Sequence, residues 1–208
     1  MKNWIQNYLP ITFEAKLFIF LVIGFFVATV AGTMSFVLGY FLAGKLQGHD
    51  VIINYCGAYC KDELPQSFLF SSSGVLTPIL IGIAGLIILF LRRKNFTEAP
   101  LSFPQWMLVF ASLFLLRQLD NFSFAILRFL ATGNFRCRNA DTYVSELLNL
   151  PSQFIQVLMV IVGIITLAII VFRFIPKTQR FTFLLSGIVG GVGGYYLWFL
   201  QLGKIILP

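Results

Sequence analysis

Histidine is nearly absent: His49 is the only one in 208 residues. A zinc site needs three or four nitrogen, sulfur or oxygen ligands at workable spacing, and one imidazole supplies one. Cys56, Cys60 and His49 would need a further ligand, and their spacing fits no zinc pattern. Neither a metal nor a cofactor is therefore expected. Cysteine is also scarce, three in all, which leaves at least one outside any disulfide and implies no disulfide framework. Charged residues make up only 11% of the chain. No G-x-S-x-G, phosphate-binding loop or dinucleotide fingerprint appears, so the commonest signatures of hydrolases and nucleotide enzymes are missing.

What the chain has in abundance is apolar length. It is 58% hydrophobic and 16% aromatic, with a mean hydropathy of +0.88. A soluble domain of this size cannot hide so much apolar surface, so lipid is the natural solvent. Five segments read as spans, 17–44, 70–91, 104–130, 151–173 and 181–202, each at or above the ~20 residues a helix needs to cross a bilayer. The expected fold class is all-α membrane, a polytopic bundle of about five transmembrane helices. The connection after the first helix leaves room for a short hairpin or irregular loop. Residues 1–15, with Trp4, Tyr8 and Phe13, read as an interfacial segment, and 16–208 as a single transmembrane domain. The first apolar run starts near Lys16 and lacks a small-residue exit, so it reads as a retained span rather than a cleaved leader.

The net charge of +7 does not form a stripe on a polar domain, which argues against nucleic acid. Its bases sit at the ends of apolar runs, in Arg92-Arg93-Lys94 and in Arg173, Lys177 and Arg180. Such clusters favour the cytoplasm, which places the N-terminus there and the C-terminus on the opposite side. Pro151 suits the first turn of the fourth span and Pro176 the following turn. Small residues at four-residue spacing, Gly24, Ala28 and Gly32 and then Gly187 with Gly191 and Gly190 with Gly194, predict ridges where helix backbones approach closely. The expected partners are the bilayer and a partner transmembrane helix or membrane complex.

Two further sets could carry chemistry. Arg117, Asp120, Asn121 and Arg128 fall inside the third span, where ionisable groups are costly unless paired or wetted. Arg117 and Asp120 are three residues apart and share a helix face, which suits a small transporter or proton path. The alternative ends that span near Leu116 and makes 117–130 interfacial. Cys56 and Cys60 have three residues between them where a redox dithiol usually has two. A thiol-disulfide oxidoreductase is thus an alternative function, against a structural disulfide or two thiols. Cys137, between Arg136 and Arg138, reads as a loop residue.

Taken in order, several motifs resemble those of site-2-type intramembrane zinc metalloproteases. The stretch from Phe36-Val37-Leu38-Gly39-Tyr40 to Gly44-Lys45-Leu46-Gln47-Gly48 resembles that family's zinc helix, which reads H-E-x-G-H before small, aliphatic and basic residues. Gly57-Ala58-Tyr59-Cys60 is similar to the glycine-aromatic patch that follows. Ser73-Gly74-Val75-Leu76-Thr77-Pro78 stands where the family enters its next span. Asn139-Ala140-Asp141-Thr142, with Leu148-Asn149-Leu150-Pro151, resembles a segment in which an aspartate precedes a helix start. Trp198 and the ending from Leu202 to Pro208 also match in kind. The resemblance covers roughly residues 30–208. It implies that Phe36 and Tyr40 replace the two histidines, that Val37 replaces the glutamate base, and that Asp141 matches a third ligand. A zinc protease needs two imidazoles one turn apart and a carboxylate. The resemblance thus implies a compact, catalytically inactive member, a pseudoenzyme that serves as a binding, regulatory or assembly component.

Overall fold

The computed structural model describes residues 10–60, 68–92, 100–117 and 140–208, with isolated positions from 119 to 133 between them. Helix α1 (Ala15–Leu46) leads into a two-stranded antiparallel hairpin, β1 (Val51–Ile53) and β2 (Ala58–Cys60). Then come α2 (Phe68–Leu91) and α3 (Phe103–Ser112), which tightens into a 3-10 turn over Leu113–Leu116. A short α4 (Ala140–Leu147) precedes α5 (Phe154–Ile169), whose last turn, Ile170–Phe174, is of the wider π type. The final helix, α6 (Lys177–Ile206), alternates α and π turns.

Four helices, α1, α2, α5 through Phe174 and α6, are long and apolar enough to cross a membrane. Their outward rows, including Ile23, Val27, Leu80, Ile87, Ile164 and Leu200, stay exposed. Exposed apolar surface on this scale is stable only against hydrocarbon, and helices satisfy their own backbone groups there. The chain is an integral membrane protein with an all-α bundle.

Close approaches fix the helix directions. Gly39 of α1 lies against Ser73 and Thr77 of α2, and Gly44 against Phe70, so these two helices are antiparallel. Gly82 and Gly85 of α2 meet Leu115 and Ser112, which makes α3 antiparallel to α2. Thr12 donates to the Thr178 carbonyl, Ser186 to that of Phe18 at 3.4 Å, and Gly194 lies against Phe26, so α1 and α6 run parallel. The end where α1 begins is called here the near end, and the other the far end. Phe90 and Phe174, at the ends of α2 and α5, meet at the near end with ring centroids 5.3 Å apart. The chain must recross the bundle between α2 and α5, and Phe103–Leu116 begins that fifth passage. The third expected span, 104–130, is thus helical as far as its described residues run continuously, a shorter apolar helix than the other four.

Local chemistry explains several boundaries. The Gln105 side chain accepts from the Ser102 N–H at 2.6 Å and from its hydroxyl at 2.9 Å, closing the start of α3. Asn149 takes a left-handed conformation, φ 54°, after α4, and Pro151 sits just before the first turn of α5. Arg180 turns inward. Its guanidinium donates to the carbonyls of Ile175 at 3.2 Å and Phe172 at 2.8 Å, capping the end of α5. Pro78, which the resemblance sets at the entry to a span, lies instead ten residues inside α2 and is buried. A proline there removes one backbone bond and crowds the carbonyl four residues back, that of Gly74.

The apolar core gathers at the near end. Leu21, Leu89, Trp106, Phe110, Phe174 and Phe183 are among its buried members. Trp106 stacks on Phe183 with centroids 5.9 Å apart, and Phe25 meets Phe110 edge-on at 5.3 Å.

Candidate functional site

Towards the far end the packing changes character. Glycine 74, bare of a side chain and one turn before Pro78, leaves a bay in α2 that the Tyr40 ring fills; any Cβ at Gly74 would overlap that ring. The Tyr40 hydroxyl reaches the Ser71 carbonyl at 3.4 Å. Phe36 meets Tyr40 edge-on, centroids 4.9 Å apart, and Tyr40 meets Phe70 at 5.2 Å. The Arg117 guanidinium lies over the Phe36 ring, 3.8 Å from its centroid, at the contact distance of a cation–π pair. Asp141, in the first turn of α4, is fully buried. Both Arg117 and Asp141 lie within electrostatic reach of the Tyr40 hydroxyl. Two segments far apart in sequence thus bring Phe36, Tyr40 and Arg117 to one place, and a third sets Asp141 within electrostatic reach. Val37 is buried beside them on α1.

Beside this cluster a cavity of about 650 Å³ runs between α1, the end of α3, and α6. Phe25, Gly32 and Phe36 of α1, Leu113 to Arg117, and Gly187 to Phe199 of α6 form its walls. Its α6 wall includes the π turns Gly187–Val192 and Trp198–Leu202. Such turns widen a helix and recur at functional sites. Among the described residues Arg117 is its only charged wall residue, and Cys56 reaches it from the hairpin.

The hairpin that carries Cys56 is held by Asn54, whose side-chain oxygen accepts from the N–H groups of Cys56 at 3.0 Å and Gly57 at 2.8 Å. Trp198 donates its indole N–H to the Tyr55 carbonyl at 3.0 Å, and the Tyr55 N–H donates to the Leu207 carbonyl at 2.9 Å. Cys56 carries a free thiol 3.4 Å from Asn54 Oδ1, so it is not bridged to Cys60, which stands opposite Val51 in the hairpin.

Comparisons with protein-family models, with curated proteins and with solved structures return no match for this chain. Function must therefore be argued from the site itself. Among the described residues, no three histidine, cysteine, aspartate or glutamate side chains gather where they could hold a metal. The site therefore presents aromatic rings, one guanidinium, one buried carboxyl and a thiol, arranged around apolar space.

The expected site residues divide as follows. Phe36, Tyr40 and Arg117 come together, with Asp141 within electrostatic reach of Tyr40. Asp120, Asn121, Arg128 and Cys137 lie outside the described residues, as do residues 1–9 of the interfacial segment. Of the packing glycines, Gly190 and Gly194 press on α1 at Val22, Phe25 and Phe26, Gly187 touches Phe25, and Gly24 meets the Phe110 ring. Gly191 faces open space, and Gly32 meets only Phe114, near 3.9 Å. Ala28 lines the cavity as well. The sequence reading missed the role of Tyr195 and Phe199 in walling the cavity. Their signal was available only as aromatics near the end of a glycine-rich span.

Proposed function

We propose that this chain is a catalytically inactive, metalloprotease-like membrane protein that serves as a binding, regulatory or assembly component. The observation that carries this reading is that Phe36 and Tyr40 pack against each other with the buried Asp141 within electrostatic reach of Tyr40. These are the positions at which the resemblance expects two zinc ligands and a third. Rings now occupy the place, and an aromatic cluster packs without binding a metal or activating water. The bundle geometry and the ligand set are separable properties, so the first can outlast the second. The cavity beside the cluster, between α1, α3 and α6, is the seat for binding. The basic clusters at the near end argue for placing it in the cytoplasm, with residue 208 on the opposite side.

The test uses the full chain in its native membrane. A photoreactive residue at Ile188, which is 64% exposed and lines the cavity, is expected to give one discrete crosslinked protein partner. A solitary monomer bearing only lipid adducts would overturn the assembly role.

A further inference from the structure

The charges of the bundle are not shared evenly between its ends. Among the described residues, Lys16, Arg92, Arg173 and Lys177 stand exposed at the near end, against a single acid, Glu14. The far end is mixed. Lys45 is bridged to Asp50 at 3.1 Å, and Asp141 and Glu146 of α4 stand there with Arg117 and Lys204. Burial separates the near-end arginines into two kinds. Arg180 is buried and turns its guanidinium to the carbonyls of Ile175 and Phe172. Arg92 and Arg173 are exposed, and neither makes an ion pair among the described residues.

These two arginines sit on neighbouring helix ends. Phe90, two residues before Arg92, meets Phe174, next to Arg173, edge-on at 5.3 Å. Each arginine directly follows a large exposed apolar side chain, Leu91 at 80% and Phe172 at 55%. Lys16 has a comparable border, because the stretch before α1 is strapped to the start of α6. Thr12 donates to the Thr178 carbonyl, Thr182 to the Thr12 carbonyl at 3.2 Å, and the Glu14 N–H to the Thr182 hydroxyl at 3.2 Å. Held there, the strap leaves Ile11 and Phe13 exposed, at 77% and 54%.

An exposed base alone asks only for water or a counterion. A base bordered by exposed aliphatic and aromatic side chains asks for a surface that is apolar below and anionic above. The boundary between acyl chains and acidic head groups is such a surface. Arginine suits it, since its stem can lie in hydrocarbon while its guanidinium takes phosphate oxygens through two N–H groups. A soluble acidic protein would answer the charges but would not supply the hydrocarbon that Leu91 and Phe172 need.

We propose that the near end is an anionic-lipid interface, with acidic head groups held at Arg92 and Arg173 and the strap lying on the surface of the same leaflet. None of Lys16, Arg92 and Arg173 lines the cavity, so this interface is separate from the seat for a partner.

The test uses the purified full chain in neutral-detergent micelles doped with phosphatidylglycerol or, in parallel, phosphatidylcholine. Native mass spectrometry of the lipid-bound species gives an apparent Kd for each. Phosphatidylglycerol should bind about tenfold or more tightly than phosphatidylcholine. Raising the salt from about 0.1 to about 1 M should remove most of that preference, because the charges are exposed. Arg92→Gln combined with Arg173→Gln should weaken phosphatidylglycerol binding about 25-fold, about fivefold per arginine. Lys204→Gln removes an exposed base at the far end and should change it by less than about twofold. All three substitutions are at exposed positions, so the unfolding midpoint should stay near that of the parent. Equal binding of the two lipids, or undiminished phosphatidylglycerol binding in the double variant, overturns the proposal. A loss in Lys204→Gln as large as in the double variant places the lipid at the far end and overturns it as well. Polyglutamate binding the parent more tightly than phosphatidylglycerol would assign this end to an acidic protein instead. The Ile188 crosslink is read at the cavity, so either result can fail without the other.

Discussion

The two ends of the bundle solve different problems with the same residue types. At the near end, phenylalanines and Trp106 interlock around Leu21 and Phe174, which are essentially inaccessible. At the far end, Phe36, Tyr195 and Phe199 line a cavity, and the Phe36 ring lies against the Arg117 guanidinium. Helix α6 contributes to both, and its glycines divide the work by face. Gly190 and Gly194 let α1 press against the helix backbone, whereas Gly191, one position along, opens onto empty space. Aromatic content therefore does not distinguish a filled core from a binding seat. The distinction lies in whether a neighbouring helix comes close enough to fill the volume, and close approach in lipid depends on small residues at the contact.

Substitutions can break this comparison, and the largest effect should come from the core. Phe174→Ala is expected to cost about 3–5 kcal/mol, the range for deleting a buried ring. Phe199→Ala, on the cavity wall, should cost about 1 kcal/mol or less. Thermal unfolding of both variants in the same detergent measures the difference, and equal losses would mean the cavity is as tightly filled as the core. Gly190→Leu comes next, at about 3 kcal/mol or loss of the folded protein, because its side chain meets the Val22 backbone. Removing the Trp198 hydrogen bond to Tyr55 with Trp198→Phe should cost about 1 kcal/mol. It should also speed amide exchange in the hairpin 51–60 before it affects the rest of the bundle. The smallest effect is expected at Gly191→Leu, within about 0.5 kcal/mol. Were it to match Gly190→Leu, the two faces of α6 would not differ as described.

Much of the frame was legible in the sequence. The four long helices follow from apolar runs of spanning length, and the hairpin fits the room left between the first two. The third passage was harder because its apolar residues thin out at Arg117, where sequence offers both an embedded pair and an interfacial stretch. Only its first part, Phe103–Leu116, is settled by the described helix. Side-chain direction was not legible. Helices α1 and α2 are apolar on every side, so no periodicity tells a lipid-facing residue from a packed one. For that reason Gly190 and Gly191 looked alike, and Arg180 looked like a surface charge rather than a cap on α5. The approach of Asp141 to within electrostatic reach of Tyr40 joins residues about a hundred positions apart, and only the resemblance suggested looking for it.

The hairpin between α1 and α2 is fastened by α6 and the residue just after it. Tyr55 is held on one side by Trp198 and on the other by the Leu207 carbonyl, across some 150 residues of chain. During synthesis, α1 and α2 can pair as soon as both have emerged, since their contacts are local. The turn bearing Cys56 then waits, without its final hydrogen bonds, until α6 is in place. Contacts so distant in sequence form late because the loop they close must first be gathered. Completion of the cavity therefore waits on α6: until Trp198 is in place, the earlier helices stand without a finished site.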